Sequence, residues 1–256
     1  MPDAYATDAA YYDLIHIHDS FDGDVGLWLS FAARTERPVL EVGTGTGRIA
    51  VQLAGAGHTV VGIDPSPAML ERGRQRADEL AIDVTFIEGK VTDLTLGADY
   101  YGLVVVPADV FLYCEDRDEQ VATLAALREC LNPSGLLALD LPGPALWLDP
   151  STNGQPLLVY SGTTPEGEPF DAWQLHEDDL AEQLRILRVT YERTGIDGLV
   201  RRSQSEHRLR YVYPHECGYL LEQAGLAPVD VYGDYDLGPL TNDSERMIVI
   251  AGRAEE

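Results

Sequence analysis

Residues 39–67 read VLEVGTGTGRIAVQLAGAGHTVVGIDPSP, and this stretch decides the fold. Val39, Leu40 and Val42 make a short apolar run interrupted by one carboxylate, Glu41, which is how a buried parallel strand looks. Gly43, Gly45 and Gly47 then permit a turn so tight that a ligand can lie on bare backbone. The helix expected from Arg48 to Ala54 aims its N-terminus at that ligand. Gly55 and Gly57 stop the helix, and Thr59 to Ile63 returns as a second strand ending in Asp64.

Spacing narrows the choice of ligand. A dinucleotide site wants G-x-G-x-x-G, and counting from Gly43 the third position holds Arg48, so the pyrophosphate reading weakens. A phosphate loop needs Lys-Ser or Lys-Thr after its glycines, and neither follows here. What remains is E-x-G-x-G-x-G with an acid at the end of the next strand, placed to accept hydrogen bonds from both hydroxyls of a ribose.

On these residues, Glu41-Val-Gly-Thr-Gly-Thr-Gly47 and Asp64, the chain resembles the class I S-adenosylmethionine (SAM)-dependent methyltransferases. The resemblance implies SAM as cofactor and S-adenosylhomocysteine (SAH) as product, with Glu41, Gly43, Gly45, Gly47 and Asp64 in the cofactor site. It also implies an N-terminal helical arm folded over the cofactor, with Tyr12 of the Tyr12-Asp13 pair reaching the methionine carboxylate, and Met69 against the adenine. The family usually has Gly-Asp where this chain has Gly89-Lys90. Lys90 has no acceptor for the adenine amino group, so at Lys90 and Val91 that contact falls to Glu88, Thr92 or backbone. Residues past the fourth strand line the transferring methyl in this family, which marks Val106 for the cofactor, Asp109 for substrate contact, and Phe111 and Tyr113 as pocket walls.

At 256 residues the chain suits one domain carrying an insertion. Forty-three acids against 18 lysines and arginines give a formal charge of −25, which repels phosphate backbones; only Arg201, Arg202, Arg208 and Arg210 form a local basic cluster. A nucleic-acid partner is disfavoured. The three cysteines, Cys114, Cys130 and Cys217, have no C-x-x-C spacing, so neither a disulfide framework nor a zinc site is expected. His16-Ile-His18 invites a metal reading, yet residues two apart on a helix face different ways and further ligands are not evident, so no metal is expected. His16 is retained as a substrate-side candidate because the arm lies over the pocket mouth in the resembling family. No run approaches the roughly 18 apolar residues needed to span a bilayer, and no basic-then-apolar leader is seen, so a cytoplasmic protein is expected, with a homo-oligomer admissible.

The remaining pattern completes an α/β fold. Residues 1–10 read as loose, and helices are expected between Ala9 and Phe31. Ser66 caps a helix to about Leu80; strands follow at Val84 to Glu88, Tyr101 to Val106 and Leu136 to Asp140, with a helix from Glu119 to Leu131. Gln183 to Arg193 and Leu199 to Tyr213 alternate about a glycine turn and read as a long antiparallel hairpin. Its Ser203, Ser205, His207, Leu209 and Tyr211 share one face, and which face is inward stays open. A helix from Pro214, a strand from Val229 to Tyr232 and a returning strand from Arg246 to Ala251 close the chain. The resemblance implies how these strands assemble: a Rossmann-like seven-stranded sheet, order 3-2-1-4-5-7-6 with the last strand antiparallel. Its arm is 1–37, its cofactor domain 38–141 and 211–256, and its inserted β cap 142–210.

Methyl transfer from a sulfonium is an in-line displacement that needs positioning, exclusion of water and, for some nucleophiles, removal of a proton. His207 and Asp109 are the catalytic candidates, His176 and His215 being further bases, and Tyr211 joins the substrate side. The expected activity is methyl transfer to N or O of a small, natural-product-like acceptor. A non-methylating cyclisation by the same fold is the alternative, because no motif separates the two.

Overall fold

The computed structural model describes residues 5–16, 23–147 and 150–254. The N-terminal arm carries α1 (Ala6–Ala9), α2 (Tyr12–His16) and α3 (Asp24–Ala32). Ala6–Ala9 is thus helical, although the composition of residues 1–10 reads as loose; Asp8 and Ala9 are buried by what packs on them, which local composition does not encode. The central unit follows as β1 (Val39–Val42), α4 (Arg48–Gly55), β2 (Val60–Asp64), α5 (Pro67–Leu80) and β3 (Thr85–Glu88). Ser66 caps α5 as expected, its hydroxyl accepting from the Met69 N–H at 3.2 Å.

Next come β4 (Tyr101–Val106), a 3-10 turn at Val110–Tyr113, α6 (Arg117–Cys130), β5 (Leu131–Pro142) and α7 (Pro144–Trp147). Helix α6 starts two residues before the expected Glu119, because Asp116 caps it by accepting from the Glu119 N–H at 2.8 Å. The inserted segment contributes β6 (Leu157–Thr163), β7 (Pro169–Asp179), β8 (Leu184–Thr194) and β9 (Val200–Arg210). Then α8 (Pro214–Gln223), β10 (Leu226–Tyr232) and β11 (Arg246–Arg253) end the chain.

Seven strands pair in the order β3-β2-β1-β4-β5-β11-β10, with β11 antiparallel to both neighbours. This is the expected order. Strands β1 and β4 are buried throughout because both faces of the sheet are covered. Alternation sends Leu40, Val42, Val104 and Val106 to one face, against Leu124 and Leu127 of α6 and Leu220 and Leu221 of α8. Val39, Leu103 and Val105 go to the other, against Trp28 and Phe31 of α3 and Ile49 and Leu53 of α4.

The second sheet is four-stranded, β6-β7-β8-β9, rather than the two-stranded hairpin that the sequence displays. The hairpin itself pairs Leu187 with His207 and Val189 with Ser205. Its Ser205, His207 and Leu209 are buried, which settles the inward face. Tyr11 stacks on Phe170 at 4.7 Å and tilts against Tyr191 at 5.0 Å, fastening the arm to this sheet. Among the described residues, no helix is long and apolar enough to cross a membrane.

Candidate active site

The glycine loop is held from below and from the side. Gly43 and Thr44 donate their N–H groups to the Ile63 carbonyl at 2.8 and 3.0 Å, and the Gly45 N–H donates to the Asp64 carboxylate at 2.9 Å. The other Asp64 oxygen accepts from the Ser66 N–H at 2.8 Å, so one carboxylate orders both the loop and the entry to α5. Thr44 donates its hydroxyl to Glu41 at 2.8 Å beneath the loop. Burial pushes the Glu41 carboxyl up to about 8, against the Thr44 hydrogen bond and the Arg48 charge. Thr46 donates to Asp13 of α2 at 2.7 Å, and Arg76 of α5 donates to the Thr46 carbonyl at 2.7 Å while pairing with Asp13 at 2.8 Å. Arg48, the residue that spoils the dinucleotide pattern, meets buried Asp24 of α3 in a two-pronged pair at 2.8 and 2.5 Å.

One cavity of about 420 Å³ opens between this loop and the second sheet. Its near wall is Gly43, Gly45, Asp64, Pro65 and Met69; its far wall is Leu187, Val189, Tyr191, His207 and Leu209; Tyr5, Asp8, Tyr12 and Ile15 of the arm close it. The end of β4 supplies Ala108, Asp109, Val110 and Tyr113 between the two walls. Ala108 and Asp109 adopt φ of 51° and 65°, a left-handed pair unusual for non-glycine residues. Buried Asp140 holds them there, accepting from the Ala108 N–H at 3.0 Å on its carboxylate and from the Asp109 N–H at 3.1 Å on its carbonyl. Arg246 of β11 lies against both acids, at 2.7 Å from Asp109 and 2.8 Å from Asp140, and Tyr235 donates to Asp140 at 3.0 Å.

On the far wall sits a second polar cluster around Asp8. Tyr191 donates its hydroxyl to Asp8, and Ser205 does so at 2.6 Å. The His207 Nε2 is 3.4 Å from Asp8 Oδ2 and 3.2 Å from Ser205 Oγ, and its Nδ1 is 3.4 Å from the Tyr113 hydroxyl. Tyr5 stacks on the imidazole at 5.5 Å. Burial works against the Asp8 charge, but hydrogen bonds from His207, Ser205 and Tyr191 outweigh it and hold the carboxyl below its usual range. Burial drives Tyr113 well above the ordinary tyrosine value and Tyr12 to about 12, so both phenols stay protonated.

Of the residues expected from sequence, Tyr12, Gly43, Gly45, Asp64, Met69, Asp109, Tyr113 and His207 meet at this cavity. Others stand elsewhere. Glu41 lies under the loop, and Gly47 caps α4 behind it. Lys90 pairs with Glu119 at 2.8 Å on the outside, a half-exposed ammonium whose pKa that bond raises. Val91, Val106 and Phe111 are packed in the core beside α6, and Tyr211 packs edge-on to Tyr213. His176 is 3.4 Å from the Thr152 hydroxyl and outside the cavity wall, while His215 sits on α8. The His16 side chain and His18 lie outside the described residues. Sequence reasoning missed Asp8, Tyr191, Asp140 and Arg246. Their only signal is long-range pairing.

The loop fits an adenosyl ligand on its own geometry. Gly45 has φ of 53°, and a Cβ built on it meets nothing within 4 Å, so the open space above the loop is a cradle that only a missing side chain leaves. Asp64 forms the facing lip, a carboxylate of the kind that ribose hydroxyls require.

A family model described as a methyltransferase domain matches residues 39–135. The cypemycin N-terminal methyltransferase of a Streptomyces species is 28% identical over 246 residues, covering 94% of each chain. Among solved structures, the CcbJ methyltransferase from Streptomyces caelestis superposes with a TM-score of 0.77 at 27% identity, over 91% of this chain and 90% of that one. A SAM-dependent methyltransferase from Clostridium acetobutylicum shares the fold with a TM-score of 0.81 at 14% identity, over 96% of this chain and 97% of its own. Residues 39–135 thus match a methyltransferase domain, and along nearly its whole length the chain is similar to SAM-dependent methyltransferases.

Proposed function

We propose that the chain methylates nitrogen or oxygen of a small, natural-product-like acceptor held between the glycine loop and the second sheet. The observation that carries this reading is the cavity of about 420 Å³ that joins Gly43, Gly45 and Asp64 to Tyr113 and His207. That volume is within the range of small-ligand sites. Further support comes from the basic cluster, in which Arg201, Arg202, Arg208 and Arg210 pair with Asp197, Glu192, Glu115 and Glu216, leaving no run of uncompensated cations there for a phosphate backbone. The cypemycin relative is named for methylating an N-terminus, which favours an amine.

When bound, SAM supplies a methyl group on a positively charged sulfur. In this reading Gly43, Gly45, Asp64, Met69 and Tyr12 hold the donor, with Glu41 and Gly47 acting through the loop. The walls of Leu187, Val189 and Leu209 exclude water and press the acceptor toward the loop, so most of the acceleration is positional. Asp109 is held by Arg246 and shapes the junction between the halves.

The test is incubation with SAM and a panel of small amines and alcohols, reading SAH release and the mass of the acceptor. The proposal expects SAH with a singly methylated amine or alcohol. Donor binding without SAH from any acceptor would point to the cyclisation alternative and defeat it.

A further inference from the structure

We propose that His207 is the proton acceptor of the transfer, reached through the Tyr113 hydroxyl, and that Asp8 of the N-terminal arm is the positioning residue that fixes its tautomer. The inference rests on the methyltransferase reading above and adds to it the acceptor-side chemistry.

Counting protons fixes the arrangement. Ser205 has one hydroxyl proton, and it is donated to Asp8 at 2.6 Å. Toward the imidazole, 3.2 Å away, Ser205 Oγ therefore acts as acceptor, and Asp8 Oδ2 at 3.4 Å is an acceptor too. Both neighbours of His207 Nε2 are acceptors, so Nε2 carries the hydrogen. The neutral ring then keeps its lone pair on Nδ1, which faces the Tyr113 hydroxyl at 3.4 Å. Asp8 Oδ2 is buried and faces His207 Nε2 at 3.4 Å, a long contact that an imidazolium would tighten. Distances of this length are ordinary before a substrate closes a site.

The groups facing the imidazole come from four elements: Tyr5 and Asp8 from the arm, Tyr113 after β4, Tyr191 from β8, and Ser205 from β9 itself. Asp109, also after β4, stands further along the same cavity. As the acceptor heavy atom takes the methyl, its own proton passes to the Tyr113 oxygen and the Tyr113 proton passes to His207 Nδ1. The electron pair of the broken carbon–sulfur bond stays on sulfur. Tyrosine ends neutral, and the imidazolium ends beside the Asp8 carboxylate. Raised as it is by burial, the Tyr113 phenol serves as a relay and not as a standing phenolate.

Because Asp8 sits on α1 and His207 on β9, the base is correctly oriented only with the arm closed. Proton removal is thereby tied to closure over both ligands.

The experiment uses the full chain labelled with 15N-histidine and saturated with SAH, the His207 signals being identified by their loss in His207→Gln. The expected spectrum at neutral imidazole shows hydrogen on Nε2 and a bare Nδ1. In Asp8→Asn, whose amide offers a donor to Nε2, the hydrogen moves to Nδ1. In turnover with whichever panel amine or alcohol releases SAH fastest, Asp8→Asn and His207→Gln each lower kcat about 10²–10⁴-fold while SAH affinity is kept. A hydrogen on Nδ1 in the parent chain, or an unchanged kcat in Asp8→Asn, overturns the inference. Absence of SAH binding by the parent chain defeats the reading beneath it instead.

Discussion

Replacing Gly43 by alanine separates what the loop does for the fold from what it does for the ligand. Gly43 has φ of 71°, which costs an alanine about 1–2 kcal/mol. The new Cβ also falls 2.4 and 2.5 Å from the two methyl carbons of Val110, and overpacking of that kind costs about 1–3 kcal/mol. Gly43→Ala is therefore expected to lose about 2–5 kcal/mol in urea unfolding. Adding Val110→Ala removes the two methyl contacts but leaves the residue-110 Cβ at 3.0 Å and the backbone strain, so the double variant should regain part of that about 1–3 kcal/mol relative to additivity. Gly45→Ala is the control: φ of 53° strains it comparably, but its Cβ meets no atom within 4 Å. It should lose only about 1–2 kcal/mol and yet bind SAH poorly, because the methyl fills the cradle. Strictly additive effects of Gly43→Ala and Val110→Ala would refute the packing argument, and unimpaired SAH binding by Gly45→Ala would refute the cradle.

Glu41 predicts a pH dependence. With its pKa at about 8 in the folded chain against an ordinary 4.5, the native state keeps a proton that the unfolded state releases, so stability present below pH 4.5 is lost as pH rises through 8. Glu41→Gln should flatten this decline, on the order of a few kcal/mol between pH 5 and about 8.5 in urea titrations; an unchanged slope would exclude Glu41 as its source. Arg246→Ala strands fully buried Asp140 and leaves Asp109 without its cation, which is expected to cost about 3–5 kcal/mol, with Asp140→Asn in the same background recovering part of it. Failure of that rescue in thermal unfolding would mean that charge is not what Arg246 balances.

The order of the seven-stranded sheet comes with the family resemblance, whereas its central strands are legible in the sequence itself because they are covered on both sides. Val39 to Val42 and Tyr101 to Val106 are therefore almost unbroken apolar runs. The hairpin of β8 and β9 is legible from alternation. Its partners are not: β6 is exposed along nearly its whole length, so nothing selects its side chains by face, and β7 opens on a proline among turn residues. In the site, the glycine loop and Asp64 lie within one strand-helix-strand unit and are read locally. The Asp8 cluster joins residues 183 and 197 positions apart, and the Arg246 network 106 and 137. Such pairs leave no mark on local spacing. Glu41 illustrates a further limit, since the motif locates the residue correctly but only packing shows that it braces Thr44 from below.

The central claim is that Asp64 and the glycine loop grip an adenosyl ligand together, and calorimetric titration of SAH into the parent chain and Asp64→Ala tests it most directly. Hydrogen bonds to a charged acceptor contribute about 1.5–3 kcal/mol each, so losing both ribose contacts should weaken binding by about 100-fold or more. The account predicts saturable binding by the parent chain with that loss in Asp64→Ala. No binding by the parent chain, or equal affinity in the two, would contradict it.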